Sequence, residues 1–412
     1  MKLKLLTSLF LFLSVAASAQ WTQRAGFPGT PRAKSVSFTI NDKVYVIGGV
    51  TNASAVLRDV WEYDMASDTW TQKPLFPGPE RYGAASFVIN DKGYIATGGN
   101  DNGYLDDLWQ YNPVTGLWTQ ETGLPVGMAQ HENQRREAFA FAINGKGYLG
   151  GGDGFVFGPN GTSNYAFFDL WEYNPLNNSW TTKAGIPDFL GRNMAVGVAV
   201  NNKGYVGLGC DVWQSTNRTS LWEYDPVSDT WTSRSSFPSN FTTDATAFVV
   251  DSSFYVAGGL NISTIVLSPQ IFAYKPSTNT WTALTSFTGG AIAGQVAASS
   301  SGRIFMGTGY NASVLTRNDW WEMTGTSGLE TLTSTPAAGI IAYPSPVNAH
   351  LHVRSIKEIS FIEMIDLNGQ VVKKFGSDFD DLNTSELSPG MYVLAVHFTD
   401  GDAHRQRLVK TK

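Results

Sequence analysis

Short apolar runs that end in glycine recur along most of this chain, at Gly48-Gly49, Gly98-Gly99, Gly151-Gly152, Gly207/Gly209, Gly258-Gly259 and Gly307/Gly309. After each run come two large apolar residues two positions apart, at Trp61/Tyr63, Trp109/Tyr111, Trp171/Tyr173, Trp222/Tyr224, Phe272/Tyr274 and Trp321/Met323. Side chains two apart on a strand share a face, so the pattern predicts short strands whose aromatic faces fill the gaps between neighbouring sheets. A Trp-Thr pair closes five of these units, at Trp70, Trp118, Trp180, Trp231 and Trp281, and a sixth pair stands alone at Trp21. The steps between these tryptophans are 49, 48, 62, 51 and 50 residues, the length of one propeller blade. The last aromatic mark has no closing Trp, and Trp21 precedes the first glycine pair. The chain ends therefore predict one shared unit, in which the N-terminal strand is the outer strand of the last blade and leaves no exposed sheet edge. The expected fold is all-β, with a six-bladed β-propeller over residues 20–323.

The second unit carries a family resemblance. RYGAASFVINDKGYIATGG, then LDDLWQYNP, then GLWTQ resembles a kelch repeat: an Arg-led strand, a Gly-Gly strand, an aromatic-x-Tyr strand and a Trp strand. The resemblance spans roughly residues 20 to 323 and implies a kelch propeller.

The two ends differ from the repeats. Residues 1–19, MKLKLLTSLFLFLSVAASA, combine two lysines, an apolar stretch and small residues at Ala17 and Ala19, the pattern of a secretory signal peptide cleaved before Gln20. No other stretch is long and apolar enough to span a bilayer. Residues 324–338 are a Thr/Ser/Gly linker. Residues 339–412 read as short strands with turns at Asn368-Gly369 and Pro389-Gly390, which suits a small Ig-like β-sandwich. YPSPVNAHLHV, IDLNGQVV, LSPGMYVL and the terminal LVKTK resemble the C-terminal sorting domain of the type IX secretion system, with Ser345 where that family usually has Asn. This resemblance implies Sec export, passage across the outer membrane of a Bacteroidetes-type bacterium, and an address at the cell surface or in the medium. The type IX machinery is then the partner of residues 339–412.

Charge and cysteine content narrow the function. The formal charge of −6 becomes −8 without Lys2 and Lys4, which argues against nucleic acid or an anionic membrane as partner. The single cysteine, Cys210, excludes an intramolecular disulfide and reads as a small strand residue. No cofactor and no metal-ligand spacing is expected; His350 and His352 share a strand face, but two ligands are too few.

Alternating strand directions place the loops that enter each first strand at the same end as those joining second to third strands. Ligand loops are expected on this face. The entering register position holds Arg32, Arg81, Arg135, Arg192, Thr242 and Ile292. Four arginines there would ring the channel mouth and bind a carboxylate or an acidic loop; the competing reading pairs them with Asp59, Asp107, Asp169 and Asp319. Blade three carries two longer loops on this face. One, HENQRRE, supplies His131, Glu132, Arg135, Arg136 and Glu137, and the other supplies Asp153, Phe155, Phe157, Tyr165 and Phe167. Acids and arginines opposite aromatics suit carbohydrate or peptide recognition, and a self-packed insertion is the plainer alternative.

Catalysis has less support. His131 is the one histidine in the repeat region, which rules out a copper-radical oxidase of galactose oxidase type, and SDTW at Ser67–Trp70 only imitates a sialidase Asp box. The enzymatic alternative is an exported kelch epimerase acting on sialic-acid-type sugars with channel arginines and an acid. The expected function is a cell-surface or secreted module that recognises a carbohydrate or protein.

Overall fold

The computed structural model describes residues 20–125, 133–158, 161–188, 191–211, 216–313 and 315–324, and further along 341–343, 347, 349–355, 358–366, 370–377, 379, 381–399 and 403–410. The chain divides into two compact units, Met1–Thr326 and Ser327–Lys412. Among the described residues all regular structure is β.

The first unit contains six four-stranded antiparallel sheets in chain order. Sheet one consists of Val36–Ile40, Lys43–Val50, Val56–Asp64 and Thr69–Lys73, and sheets two to five repeat that up-and-down order. Sheet six draws on both chain ends. Val296–Ser300, Arg303–Gly307 and Trp320–Thr324 are completed by Gln20–Gln23, with Trp21 opposite Met323. This is the pairing that the unmatched Trp21 predicts. First strands of successive sheets pack side by side, and the sixth packs on the first, so the sheets close a ring. A central channel of about 280 Å³ runs through it, lined largely by the small residues Ser35, Ser37, Ala84, Ala140 and Gly197.

Local chemistry explains the hairpins. The turns Asn41-Asp42, Asn90-Asp91 and Asn201-Asn202 have positive φ at both central residues, a turn whose twist matches paired strands and which Asn and Asp tolerate. Between sheets, aromatics interlock. Phe38 and Tyr45 of sheet one meet Tyr111 and Trp118 of sheet two, with Tyr45 and Tyr111 ring centres 5.1 Å apart. The same contact recurs between Tyr94 and Tyr173 at 5.8 Å and between Tyr148 and Tyr224 at 5.7 Å. Such rings supply most of the buried apolar area between sheets.

In four sheets the hairpin of the outer strand is also fastened to the chain that enters the sheet. The Nε1 of Trp70, Trp180, Trp231 and Trp281 donates to the carbonyls of Ala25, Thr122, Ala184 and Ser235, at 2.7 to 2.9 Å. In return the N–H groups of these four residues reach the side chains of Asp68, Asn178, Asp229 and Asn279. Sheet two lacks the return bond on both sides. Gly116 stands where the Asp or Asn belongs, and Pro74, which has no N–H, stands where the donor belongs. The loss leaves the Tyr111 hydroxyl without a partner.

The second unit has a three-stranded sheet of Ile341–Tyr343, His350–Arg354 and Leu382–Asn383 and a four-stranded sheet ordered Val371–Phe375, Ile359–Ile365, Gly390–Phe398, Ala403–Lys410. Leu351, Val353, Ile362, Met364, Leu394, Val396 and Leu408 form its core. Of its two expected turns, Asn368-Gly369 lies outside the described residues, as do residues 1–19 and most of the 324–338 linker.

Packing at one repeat position makes a test. A Cβ on Gly147 would lie 2.3 Å from the buried Phe87 ring of the preceding sheet. Gly147→Ala should lower unfolding stability by about 1–3 kcal/mol through overpacking, measured by urea denaturation against wild type.

Candidate functional site

Each first strand is entered beside the loop that follows the second strand. The backbone bridges Ala33–Val50, Tyr82–Gly99, Arg136–Asp153, Asn193–Cys210, Thr243–Leu260 and Ala293–Tyr310 tie these loops together at one end of the ring. Just inside, six register-equivalent residues, Lys34, Gly83, Glu137, Met194, Asp244 and Gly294, all have positive φ, between 52° and 62°. Four of them are not glycine, and the left-handed backbone is costly for such residues. The cost is met by hydrogen bonds around the axis. The N–H of Gly83 donates to Lys34, that of Glu137 to Gly83, that of Met194 to Glu137 and that of Gly294 to Asp244, while the N–H of Lys34 closes back onto Gly294 at 2.8 Å.

The side chains at these positions line a cup of about 120 Å³ on the axis, together with Ser35, Ala84, Ala138, Ala195, Ala245 and Gln295. In it the Lys34 ammonium bridges Glu137 Oε1 at 2.8 Å and Asp244 Oδ1 at 3.0 Å. The Tyr310 hydroxyl donates to Asp244 Oδ2 at 2.8 Å. Desolvation lowers the Lys34 pKa, but Asp244 and Glu137 outweigh it and the ammonium titrates above its ordinary value. Burial pushes the Glu137 carboxyl up; Lys34 opposes and Asp244 reinforces the rise. A second cluster borders the cup. Arg136 meets Asp153 at 3.3 Å and bonds the Tyr82 hydroxyl, and its guanidinium lies over the Tyr104 ring at 4.9 Å. Tyr104 stacks on Phe155 with ring centres 4.6 Å apart. Cys210 donates to Asn193 Oδ1, and burial, with Asp244, Asp211 and Asp153 adding, pushes its thiol up to about 12; at neutral pH it is no nucleophile.

The four arginines expected at the channel mouth are elsewhere. Arg32, Arg81, Arg135 and Arg192 are fully buried. Arg32, Arg81 and Arg135 form two-pronged pairs with Asp59, Asp107 and Asp169 at 2.5 to 2.8 Å. Each also donates to a carbonyl of the second strand's end, those of Gly48, Thr97 and Gly151. A phenylalanine, Phe27, Phe76 or Phe167, lies beneath each guanidinium, and the Nε1 of Trp61, Trp109 or Trp171 donates to the same aspartate. The competing reading, arginine paired with the acid before the aromatic, describes these three. The physical reason is direction: at this position the side chain turns outward between sheets, and two residues later the left-handed backbone turns it to the axis.

The clamp changes coherently where its parts change. In sheet four Ser220 replaces the aspartate, and Asp188 supplies the carboxylate to Arg192 at 2.7 Å. In sheet six Ile292 replaces the arginine, and Arg317 pairs with Asp319 instead. Sheet five has Thr242 and Gln270, without either charge.

Of the other expected residues, Arg136, Glu137 and Asp153 come together at the mouth and Phe155 stands beside them, whereas Tyr165 meets Phe167 edge-on at 5.3 Å, beside the Arg135 clamp. His131 and Glu132 lie outside the described residues. Lys34, Asp244, Tyr310 and Gln295 were not expected. Reading the arginine register two residues further gives Lys, Gly, Glu, Met, Asp, Gly, which contains the first two of them.

Two family models match this chain. The KLHDC2/KLHL20/DRC7 Kelch-repeats domain matches residues 4–152, and the Secretion system C-terminal sorting domain matches residues 341–411. The chain carries kelch repeats and a type IX sorting tail. That tail marks export to the cell surface or the medium, and no described helix is long and apolar enough to cross a membrane. The kelch unit is similar in fold to a solved structure titled "Structure of YjhT", with TM-score 0.57 at 18% identity over 71% of this chain and 95% of that one. A curated relative, N-acetylneuraminate epimerase of Yersinia enterocolitica serotype O:8 / biotype 1B, is 43% identical over 54 residues. The match covers 12% of this chain and 14% of the relative, so the chain matches about a seventh of that protein's length.

The clamps give a stability test. Despite desolvation, Arg32 holds the Asp59 carboxyl below its usual range. A lowered carboxylate pKa contributes stability that is present above the unfolded value of about 3.9 and lost as pH falls through the folded value. Arg81→Ala, which strands Asp107, should cost about 3–5 kcal/mol of unfolding free energy at neutral pH, read by denaturant titration.

Proposed function

We propose that this chain is an exported six-bladed kelch propeller whose axial cup recognises a carbohydrate or protein partner. Residues 1–19 serve as the signal peptide, and residues 339–412 fold as an Ig-like sandwich that addresses the chain to the type IX machinery of a Bacteroidetes-type bacterium. One observation carries the recognition reading. The chain spends its repeat arginines on fixing sheets, yet places Lys34, Glu137 and Asp244 on left-handed backbone around one cup, where none of the three is needed to join strand to strand. Mixed donors and acceptors in a small concave site, with Tyr82, Tyr104 and Phe155 at its border, suit ligand recognition.

Glu137 favours one alternative. A buried carboxyl with a raised pKa beside a lysine is a candidate for proton transfer, and the short stretch shared with an N-acetylneuraminate epimerase fits sugar epimerisation. In that reading the cation at the centre is Lys34 rather than a ring of arginines.

The test uses the full chain on a glycan array and in one-dimensional NMR with a sugar panel that includes freshly dissolved α-N-acetylneuraminate. Recognition predicts line broadening by a bound sugar, or capture of a protein partner, reduced at least tenfold in Asp244→Asn. Faster anomer exchange that disappears in Glu137→Gln moves the assignment to the epimerase. Binding that neither substitution changes removes the cup from the function.

A further inference from the structure

The charges at the mouth do not balance. Arg136 is matched by Asp153, and Arg192 and Arg218 are matched by Asp188 and Asp211. Inside the cup one ammonium, that of Lys34, is shared by two carboxylates, those of Glu137 and Asp244. With both carboxylates ionised, one negative charge is therefore left over among the described residues, and it lies in the cup. A separate feature points the same way. Gln295 lines the cup and is 7% exposed, and its amide nitrogen donates to the Ala257 carbonyl at 2.7 Å. This fixes the amide orientation, and the opposite atom, Oε1, has no hydrogen-bond partner among the described residues. A buried acceptor without a donor costs free energy that a ligand donor recovers. Glu137 Oε1 and both Asp244 oxygens are engaged by Lys34 and Tyr310, and the Glu137 carboxylate lies against Gly83, where a side chain would collide with it.

We propose that the axial cup seats a primary ammonium group of the recognised partner, which takes the Glu137 carboxylate as its counter-ion and donates to Gln295 Oε1. The inference rests on the reading of the cup as the recognition site. Among the described residues a carboxylate ligand meets no unengaged cation at the mouth: Lys34 is held by two acids, and Arg136, Arg192 and Arg218 pair with Asp153, Asp188 and Asp211. A neutral hydroxyl satisfies Gln295 but leaves the excess charge; an ammonium group does both. The group comes from either of two sources, an amino sugar or a lysine side chain. The charged and titratable groups that face Glu137 among the described residues include Lys34, Arg136, Asp244, Asp153 and Tyr310. Lys34 and Tyr310 titrate above their ordinary values, and burial raises the Glu137 carboxyl. A bound cation favours its ionised form, and affinity therefore rises with pH through the Glu137 titration.

Calorimetry with the full chain decides the matter using paired probes: glucosamine against N-acetylglucosamine, and Nα-acetyl-lysine amide against its Nε-acetylated form, with N-acetylneuraminate as the anionic control. In one pair the free amine should bind at least tenfold tighter than its acetylated counterpart. That preference should grow as pH rises through the Glu137 titration and vanish in Glu137→Gln, with thermal melts confirming that the variant folds. Which pair responds identifies the source. Equal binding of amine and acetylated probe to wild type, or tighter binding of N-acetylneuraminate, overturns the ammonium proposal and leaves recognition at the cup standing if Asp244→Asn weakens that binding. Absence of binding by every probe, or binding indifferent to Asp244→Asn, sinks both.

Discussion

A ring of sheets exists only if its ends meet, and here the pairing of Gln20–Gln23 with Trp320–Thr324 closes it. Joining residues some 300 apart costs about 5 kcal/mol of chain entropy beyond a constant, by the logarithmic loop law. Four residue pairs would not offset that alone. The seam is reinforced at every radius. Trp21 is buried against Phe287, Arg24 pairs with Glu322, Arg32 bridges Arg317 through the backbone, and at the axis Lys34 donates to Gly294. Both walls of the cup's Lys34 side are thus assembled by closure, so the site has no shape in an open chain.

The repeat divides its polar chemistry between two neighbouring positions. At the first, a buried arginine satisfies an aspartate and a strand-end carbonyl, and leaving either charge alone in that low-dielectric setting would be costly. This explains why, where one member changes in sheets four and six, a charge from elsewhere completes the pair, and why in sheet five both charges are absent. Two residues on, the backbone turns left-handed and the side chain faces the axis, where no partner within the same sheet constrains its identity. Lysine, glutamate, methionine, aspartate and glycine all occur there. Sameness around the ring marks the position that builds it, and variety marks the position free to carry a function.

That division sets how much could be read from the sequence. The strand order, the shared last sheet and the end of the ring where loops gather follow from the spacing of Trp, Tyr and Gly, because aromatic packing between sheets admits few residue types. Even there one register slips: Thr97-Gly98, with φ of 61° and 112°, occupies the place of Gly48-Gly49, so the glycine pair Gly98-Gly99 reads one residue late. The arginines were legible as a repeated position but not in direction, since a strand pattern of period two does not foretell a left-handed residue at the strand's entrance. Lys34 and Asp244 were missed because they are 210 residues apart in sequence and meet only across the axis. Glu137, Arg136 and Asp153 were found because the longer loops of sheet three drew attention to them.

The position of the left-over charge follows from the same geometry. Within a sheet, neighbouring strands present fixed partners to a carboxylate, as where Lys43 and Lys73 both meet Glu62. On the axis six sheets contribute one residue each, and a charge is neutralised only by whatever the other five supply. Two of the six are glycine and one is methionine, so one lysine faces two carboxylates, and their charges balance only when one carboxyl is protonated. An odd count at the one place that every sheet reaches and no sheet fills leaves a charge for a ligand to meet.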